Sequence, residues 1–146
     1  MDTTLDREAL DLRRKRRRAM VTRILDAADH LPEQERQLIL AIYGRGLSVR
    51  QAAHLQGLQE RRLRRQVKAI VRRICDPAFD AAVCMTPNLP RPLREVVRLV
   101  VIQGLSMDHV ADHLGMSYHS VRKHAAAFRA IVEASPRRVQ PQESPA

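Results

Sequence analysis

The sequence points to an all-α protein made of two tandem three-helix helix-turn-helix units, preceded by a basic N-terminal helix. Three features carry that reading. The chain repeats itself without a gap at an offset of 58 residues. Glycine and serine punctuate both copies at the same places. Arginine crowds one stripe of the helix that closes the first copy.

The repeat is the strongest of these, because a fixed internal period defines the structural unit. Leu31-Pro32 falls on Leu89-Pro90, Arg36 on Arg94, and Gly46-Leu47-Ser48 on Gly104-Leu105-Ser106. Ala53 falls on Ala111, Gly57 on Gly115 and Arg64 on Arg122. The apolar positions agree as well: Leu38 and Val96, Ile42 and Val100, Leu63 and Val121, Val67 and Ala125, Ile70 and Phe128. Helical composition alone produces apolar matches. It does not easily produce a shared Gly-Leu-Ser with a second glycine at the same distance.

Taken in order, residues 1–30 read as a basic helix or arm. Its helical pattern runs over 6–30, with Leu5, Leu12, Val21, Ile24, Leu25 and Ala28 as apolar content. Residues 31–75 form the first unit. Leu38, Ile39 and Ile42 face inward at helical spacing, and Gly46 stops that helix. Ser48 with Gln51 three residues on is a capping box. Gly57 turns the chain into a last helix lined by Leu63, Val67, Ile70, Val71 and Ile74. Residues 76–88 carry Pro77 and Pro87 with Asp76 and Asp80, and read as an acidic linker, with room for a short helical turn around 79–83. Residues 89–134 form the second unit, with Leu93, Val96, Val97, Val100 and Val101 on one face. Gly104 ends that helix, since a residue without Cβ tolerates the left-handed conformation. Ser106 caps the next helix and Ser117 the one after Gly115. Val110, Ala111 and Leu114, then Val121, Ala125, Phe128 and Ile131 or Val132, face inward. Residues 135–146 hold three prolines and read as a disordered tail.

Composition excludes several classes. Apolar residues make up 45% of the 146, enough for a folded core rather than a basic disordered tail. Tyr43, Phe79, Tyr118 and Phe128 are the four aromatics, too few for stacking platforms that hold single strands. No apolar run is long enough to span a membrane, and Met1 to Leu12 does not read as a signal peptide, so the expected compartment is the cytoplasm, at the nucleoid. Cys75 and Cys84 make no disulfide framework and read as a small core residue and a spare.

The formal net charge is +10, with 26 Lys plus Arg against 16 Asp plus Glu. It is unevenly spread: +7 falls in residues 31–75 and +2 in 89–134. Arg61, Arg62, Arg64, Arg65, Lys68, Arg72 and Arg73 lie on the last helix of the first unit, opposite its apolar stripe. One buried stripe and one arginine stripe on a helix in the reading position suit a phosphate-lined groove. In the second unit the exposed positions near the helix start are Tyr118, His119, Ser120, Arg122 and Lys123. Residues at the start of a recognition helix reach base edges in the major groove. The DNA-contact candidates are therefore Arg61, Arg62, Arg64, Arg65 and Lys68, with Tyr118, His119, Ser120, Arg122 and Lys123. The run Arg13, Arg14, Lys15, Arg16, Arg17, Arg18 is a third electropositive element, suited to phosphates or to an acidic protein surface.

Leu31-Pro32-Glu33-Gln34-Glu35-Arg36, Tyr43-Gly44, Gly46-Leu47-Ser48, Ala53 and Gly57 resemble region four of the main family of bacterial sigma factors. In the second copy, Gly104-Leu105-Ser106, Val110-Ala111, Leu114-Gly115-Met116-Ser117 and Val121-Arg122 are similar too. The resemblance covers about 90 of the 146 residues, and related helix-turn-helix groups share its second half. It implies a small helical domain that binds promoter DNA with its last helix and touches the polymerase β-flap. Carried over by position, DNA contact falls on Arg61, Arg64 and Arg65 and on His119, Arg122 and Lys123. Gln56 stands where Leu114 supplies an apolar residue, and Gln59 where Ser117 supplies a cap. These departures predict a looser first turn or a register off by one residue. The chain has no Trp and no promoter-melting segment, so autonomous promoter opening is not expected.

The expected function is a DNA-binding transcriptional regulator that reads a bipartite promoter or operator on double-stranded DNA and acts with RNA polymerase. The alternative is a sigma-like accessory or anti-sigma factor that docks one unit on polymerase or on a partner regulator. An enzyme is not expected. His109 and His113 sit four apart on one helix, but no third ligand has suitable spacing, so no metal and no cofactor are expected. Units of about 45 residues bury little apolar surface. They are expected to pack on each other, on the 6–30 helix, or across a homodimer.

Overall fold

The computed structural model describes residues 3–135, and every regular element among them is helical. Helix α1 spans Thr3–Ala28. Helix α2, Glu33–Ile39, runs into a π turn at Leu40–Gly44 and is followed by α3, Val49–Gln56, and α4, Glu60–Cys75. Helix α5, Pro77–Met85, ends in a 3₁₀ turn at Thr86–Asn88. Helix α6, Arg91–Val97, runs into a second π turn at Arg98–Ile102, and α7, Met107–Leu114, and α8, Tyr118–Ala134, complete the order. From Pro136 on, the tail expected to be disordered lies outside the described residues.

The repeat is backbone-deep. Each bound from Glu33 to the start of α4 recurs 58 residues later. So do the loop hydrogen bonds. The amides of Arg45 and Gln103 each donate five residues back, to Leu40 and Arg98, at 3.0 Å. The amides of Leu58 and Met116 donate to Ala53 and Ala111 at 2.9 and 3.0 Å. Gly57 and Gly115 share one left-handed conformation, with φ of 65° in both. The looser turn or slipped register expected from Gln56 and Gln59 is therefore corrected. The turn is fixed by the glycine and its backbone bond, and Gln56 is simply exposed. Gln59 occupies the N-cap position of α4 but accepts no capping bond.

The caps otherwise agree with the sequence. Ser48 Oγ accepts from Gln51 N at 3.1 Å while Gln51 Oε1 accepts from Ser48 N at 2.9 Å. Ser106 and Ser117 accept from the amides of His109 and Ser120. The π turns change the inward phase. Beyond Val96 and Val97 the buried residues are Leu99 and Ile102, while Val100 and Val101 are only half-buried. A π turn inserts one residue into the helical ladder, so the α-helical period misassigns the residues after the insertion.

The segment 76–88, expected to be a linker, is corrected to a packed helix. Asp76 Oδ1 caps α5 by accepting from Ala78 N at 2.9 Å, and Pro77 takes the first helical position, where its missing N–H costs nothing. Phe79 is 1% exposed, and Ala78 and Ala82 are buried beside it. Helix α5 packs on α4, on the second π turn and on α8. Its Phe79 belongs to a main core that joins Ile24 and Ala28 of α1, Leu63 and Ile70 of α4, and Val97, Ile102 and Phe128 of the second series. A smaller core of Val96, Leu99, Val110, Ala111, Val121 and Ala125 lies within that second series.

Helix α1 begins earlier than its apolar pattern. Ile24, Ala27 and Ala28 are buried, and Arg23 Nη2 donates to Asp80 Oδ2 of α5 at 2.8 Å. Every residue from Thr3 to Met20 is exposed, including Leu5 and Leu12, whose apolar character alone suggests packing.

Candidate nucleic-acid interface

Helix α4 owes its position to its buried stripe. Leu63, Val67, Ile70 and Ile74 are all buried, and α3 packs against it across the Gly57 turn. The opposite side is cationic. On a 3.6-residue period, Arg61, Arg65, Lys68 and Arg72 fall in a wedge about 60° wide, opposite the core. Arg62 and Arg64 flank that wedge on either side. All six are exposed. Arg64 Nη2 pairs with Glu60 Oε1 at 2.5 Å, one turn back, so part of its charge is already neutralised.

Arg73 is the exception in the stripe. Its side chain is 17% exposed and turns away from solvent to pair with Glu35 of α2. Nη1 donates to Oε1 at 3.4 Å and Nη2 to Oε2, a two-pronged contact. The same guanidinium lies against Gly104 of the second series. In the second series the positions of Glu35 and Arg73 are held by Leu93 and Ile131, so the repeat gives no hint of this pair.

Helix α8 is built alike but charged differently. Val121, Ala125 and Phe128 are buried. Tyr118, His119, Arg122 and Lys123 are exposed. Ser120 is half-buried, and its Oγ accepts from Ser117 Oγ at 3.0 Å within the cap. Where α4 continues its outward face with Lys68 and Arg72, α8 has Ala126 and Ala130. Beyond its first turns the exposed cation of α8 is Arg129, whose Nη2 stands 3.8 Å from Asp76 Oδ2.

The basic run of α1 is exposed throughout. Six consecutive helical residues advance about 100° each and so encircle the helix. Arg13, Arg14, Lys15, Arg16, Arg17 and Arg18 therefore form a collar rather than a face. His109 and His113 are also exposed, and no group of three or more potential metal ligands gathers among the described residues. No helix among them is long and apolar enough to cross a membrane. Cys75 and Cys84 are both free.

One surface escapes sequence reasoning. Leu47, Arg50, His54, Leu55, Leu58 and Glu60 line an open cleft of about 570 Å³ between α3 and α4. Leu55 is 73% and Leu58 38% exposed. The repeat holds a signal, since Leu55 stands where the second copy has His113. Compared with protein-family models, with curated proteins and with solved structures, the chain finds no match in any of the three.

Proposed function

We propose that this chain is a transcriptional regulator that binds double-stranded DNA at the nucleoid and acts with RNA polymerase. In this reading α2–α4 and α6–α8 are two helix-turn-helix units, and α4 and α8 are the recognition helices of a bipartite promoter or operator site. The observation that carries it is the pairing of a common frame with outward cations. Both helices start three residues after a left-handed glycine, both bury one stripe, and both turn basic side chains outward near their first turns. Arginine can bridge guanine O6 and N7, and lysine or arginine elsewhere on the face can hold phosphates. Two unequal readers on one chain would take half-sites about 10 base pairs apart with no need for a palindrome.

Selection of bound duplexes from a random pool, with retention then measured over a salt series, tests this reading. The expected result is an enriched two-part sequence whose affinity falls steeply with salt, as phosphate contacts release counterions. Failure to enrich any sequence, with no retention at low salt, overturns it.

A second reading is a polymerase-docking accessory factor. The exposed Leu55 and Leu58 beside the α3–α4 cleft favour it. Retention by core polymerase of the wild-type chain, and its loss with Leu55→Ser, would support that docking role.

A further inference from the structure

Residues 3–20 of α1 form a helix that is exposed over its whole length. A lone helix of that size is marginal in water, since most helical stability comes from packing one face. This one carries an unpartnered face. Leu5, Ala9, Leu12, Ala19 and Met20 lie within about 100° of one another on a 3.6-residue period. Leu5 is 62%, Leu12 56% and Met20 50% exposed. Arg16 stands in the middle of this face. Glu8 and Lys15 border it on one side, and Asp6, Arg13 and Arg17 on the other.

Charge is also divided along the axis. Asp6, Glu8 and Asp11 precede Leu12, and the six bases Arg13 to Arg18 come after it. Such a helix is complementary to its own reversed copy. Two copies running in opposite directions about Leu12 bring Leu12 against Leu12 and Leu5 against Ala19. The same register puts Glu8 of each beside Lys15 and Arg16 of the other, and Asp6 beside Arg17. Parallel copies would instead set six bases beside six bases, which is destabilising.

We propose that residues 3–20 of α1 are a docking surface for a second copy of this chain, packed antiparallel about Leu12. The anchor for each arm is its own chain: Ile24, Ala27 and Ala28 are buried and Arg23 is held by Asp80. The collar geometry fits this use, because the bases that point away from the seam remain free on the outside of the pair. The proposal does not depend on the DNA-binding reading.

Sedimentation equilibrium of the full chain tests it through a charge exchange. One variant carries Asp6→Lys with Glu8→Lys, the other Lys15→Glu with Arg17→Glu. Every exchanged position is exposed, and an unpartnered arm is marginal in water, so far-ultraviolet circular dichroism should fall by no more than the share of residues 3–20 in each variant alone and return in the mixture. The wild type should move from the mass of one chain toward that of two as concentration rises. Each variant alone should stay at the mass of one chain, and an equimolar mixture of the two should regain the mass of two. A wild type that keeps single-chain mass throughout, or a mixture that stays unpaired, overturns the proposal. If the wild type stays single while the Lys15/Arg17 variant alone loses retention on duplex DNA, the basic run belongs to nucleic acid instead.

Discussion

Arg73 of α4 occupies the space in which a side chain at Gly104 would begin. A Cβ at Gly104 would stand 2.7 Å from Arg73 Cζ and 2.9 Å from its Cδ. Gly104 has φ of 69°, so two separate demands meet at one residue: a left-handed turn and a guanidinium pressed against the backbone. Because Glu35 grips the same guanidinium, the first half of the chain is pinned to the turn that opens α7 in the second.

Gly104→Ala should therefore cost more than the same change at Gly46. Gly46 has φ of 76° but nothing within 4 Å of a Cβ, so only the left-handed strain of about 1–2 kcal/mol applies there. At Gly104 the displaced Arg73 also loses its charged hydrogen bonds, which adds roughly 1–3 kcal/mol. Urea unfolding of both variants measures the difference. Equal losses would show that Arg73 moves aside freely.

Phe79→Ala should destabilise the chain by about 3–5 kcal/mol, the usual range for emptying a buried aromatic site. Its ring is 1% exposed in the core shared by both halves. The same sharing predicts that residues 76–146, expressed alone, melt without a sharp transition. Val97, Ile102 and Phe128 would lose the partners that α1 and α4 supply. A steep calorimetric transition of that fragment would contradict this.

Gln59→Ser should stabilise α4 by roughly 0.5–1 kcal/mol, the ordinary worth of an N-cap side chain. The second copy already holds serine at this point, where Ser117 Oγ accepts from Ser120 N at 3.1 Å. Gln59 has the same extended backbone as Ser117 and makes no such bond. The thermal midpoint should rise, while Gln56→Ala, at an exposed position outside any cap, should leave it within error.

On selected duplex DNA, Arg61→Ala and Arg65→Ala should each weaken binding by about 1–3 kcal/mol if they meet base edges, and flatten the salt dependence if they meet phosphates. Arg122→Ala should act likewise through α8. All three side chains are exposed, so the unfolding midpoint should not move. Gln66→Ala, also exposed on α4 but about 100° from the nearest edge of the arginine wedge, serves as the control. Loss of affinity with a matching loss of stability would assign these arginines to the fold.

The parts of the fold legible in the residues alone are those fixed by local chemistry. Ser48, Ser106 and Ser117 cap where their spacing says they should, and Leu63, Val67, Ile70 and Ile74 bury one stripe as a 3.6 period requires. The exposed arginines obey the same arithmetic. The features that escape it depend on something other than period. The π turns at Leu40–Gly44 and Arg98–Ile102 break the phase, so Leu99 and Ile102 are buried while Val100 and Val101 pack at the core's edge, half-buried. Arg73 leaves its stripe because Glu35, distant in sequence, offers a carboxylate in a half-buried place. Asp76-Pro77 is a good helix start, yet two prolines and an acidic balance mask α5 as a linker.

That α5 is a helix governs how the gene can change. A flexible tether absorbs an inserted or deleted residue. A packed helix passes it on, turning everything downstream by about 100° and shifting it by about 1.5 Å for each residue added. Phe79 would then leave its pocket while the α7 turn slid off Arg73. Drift in the length of 77–85 should consequently be purged, while substitutions at exposed Cys84 pass with little cost.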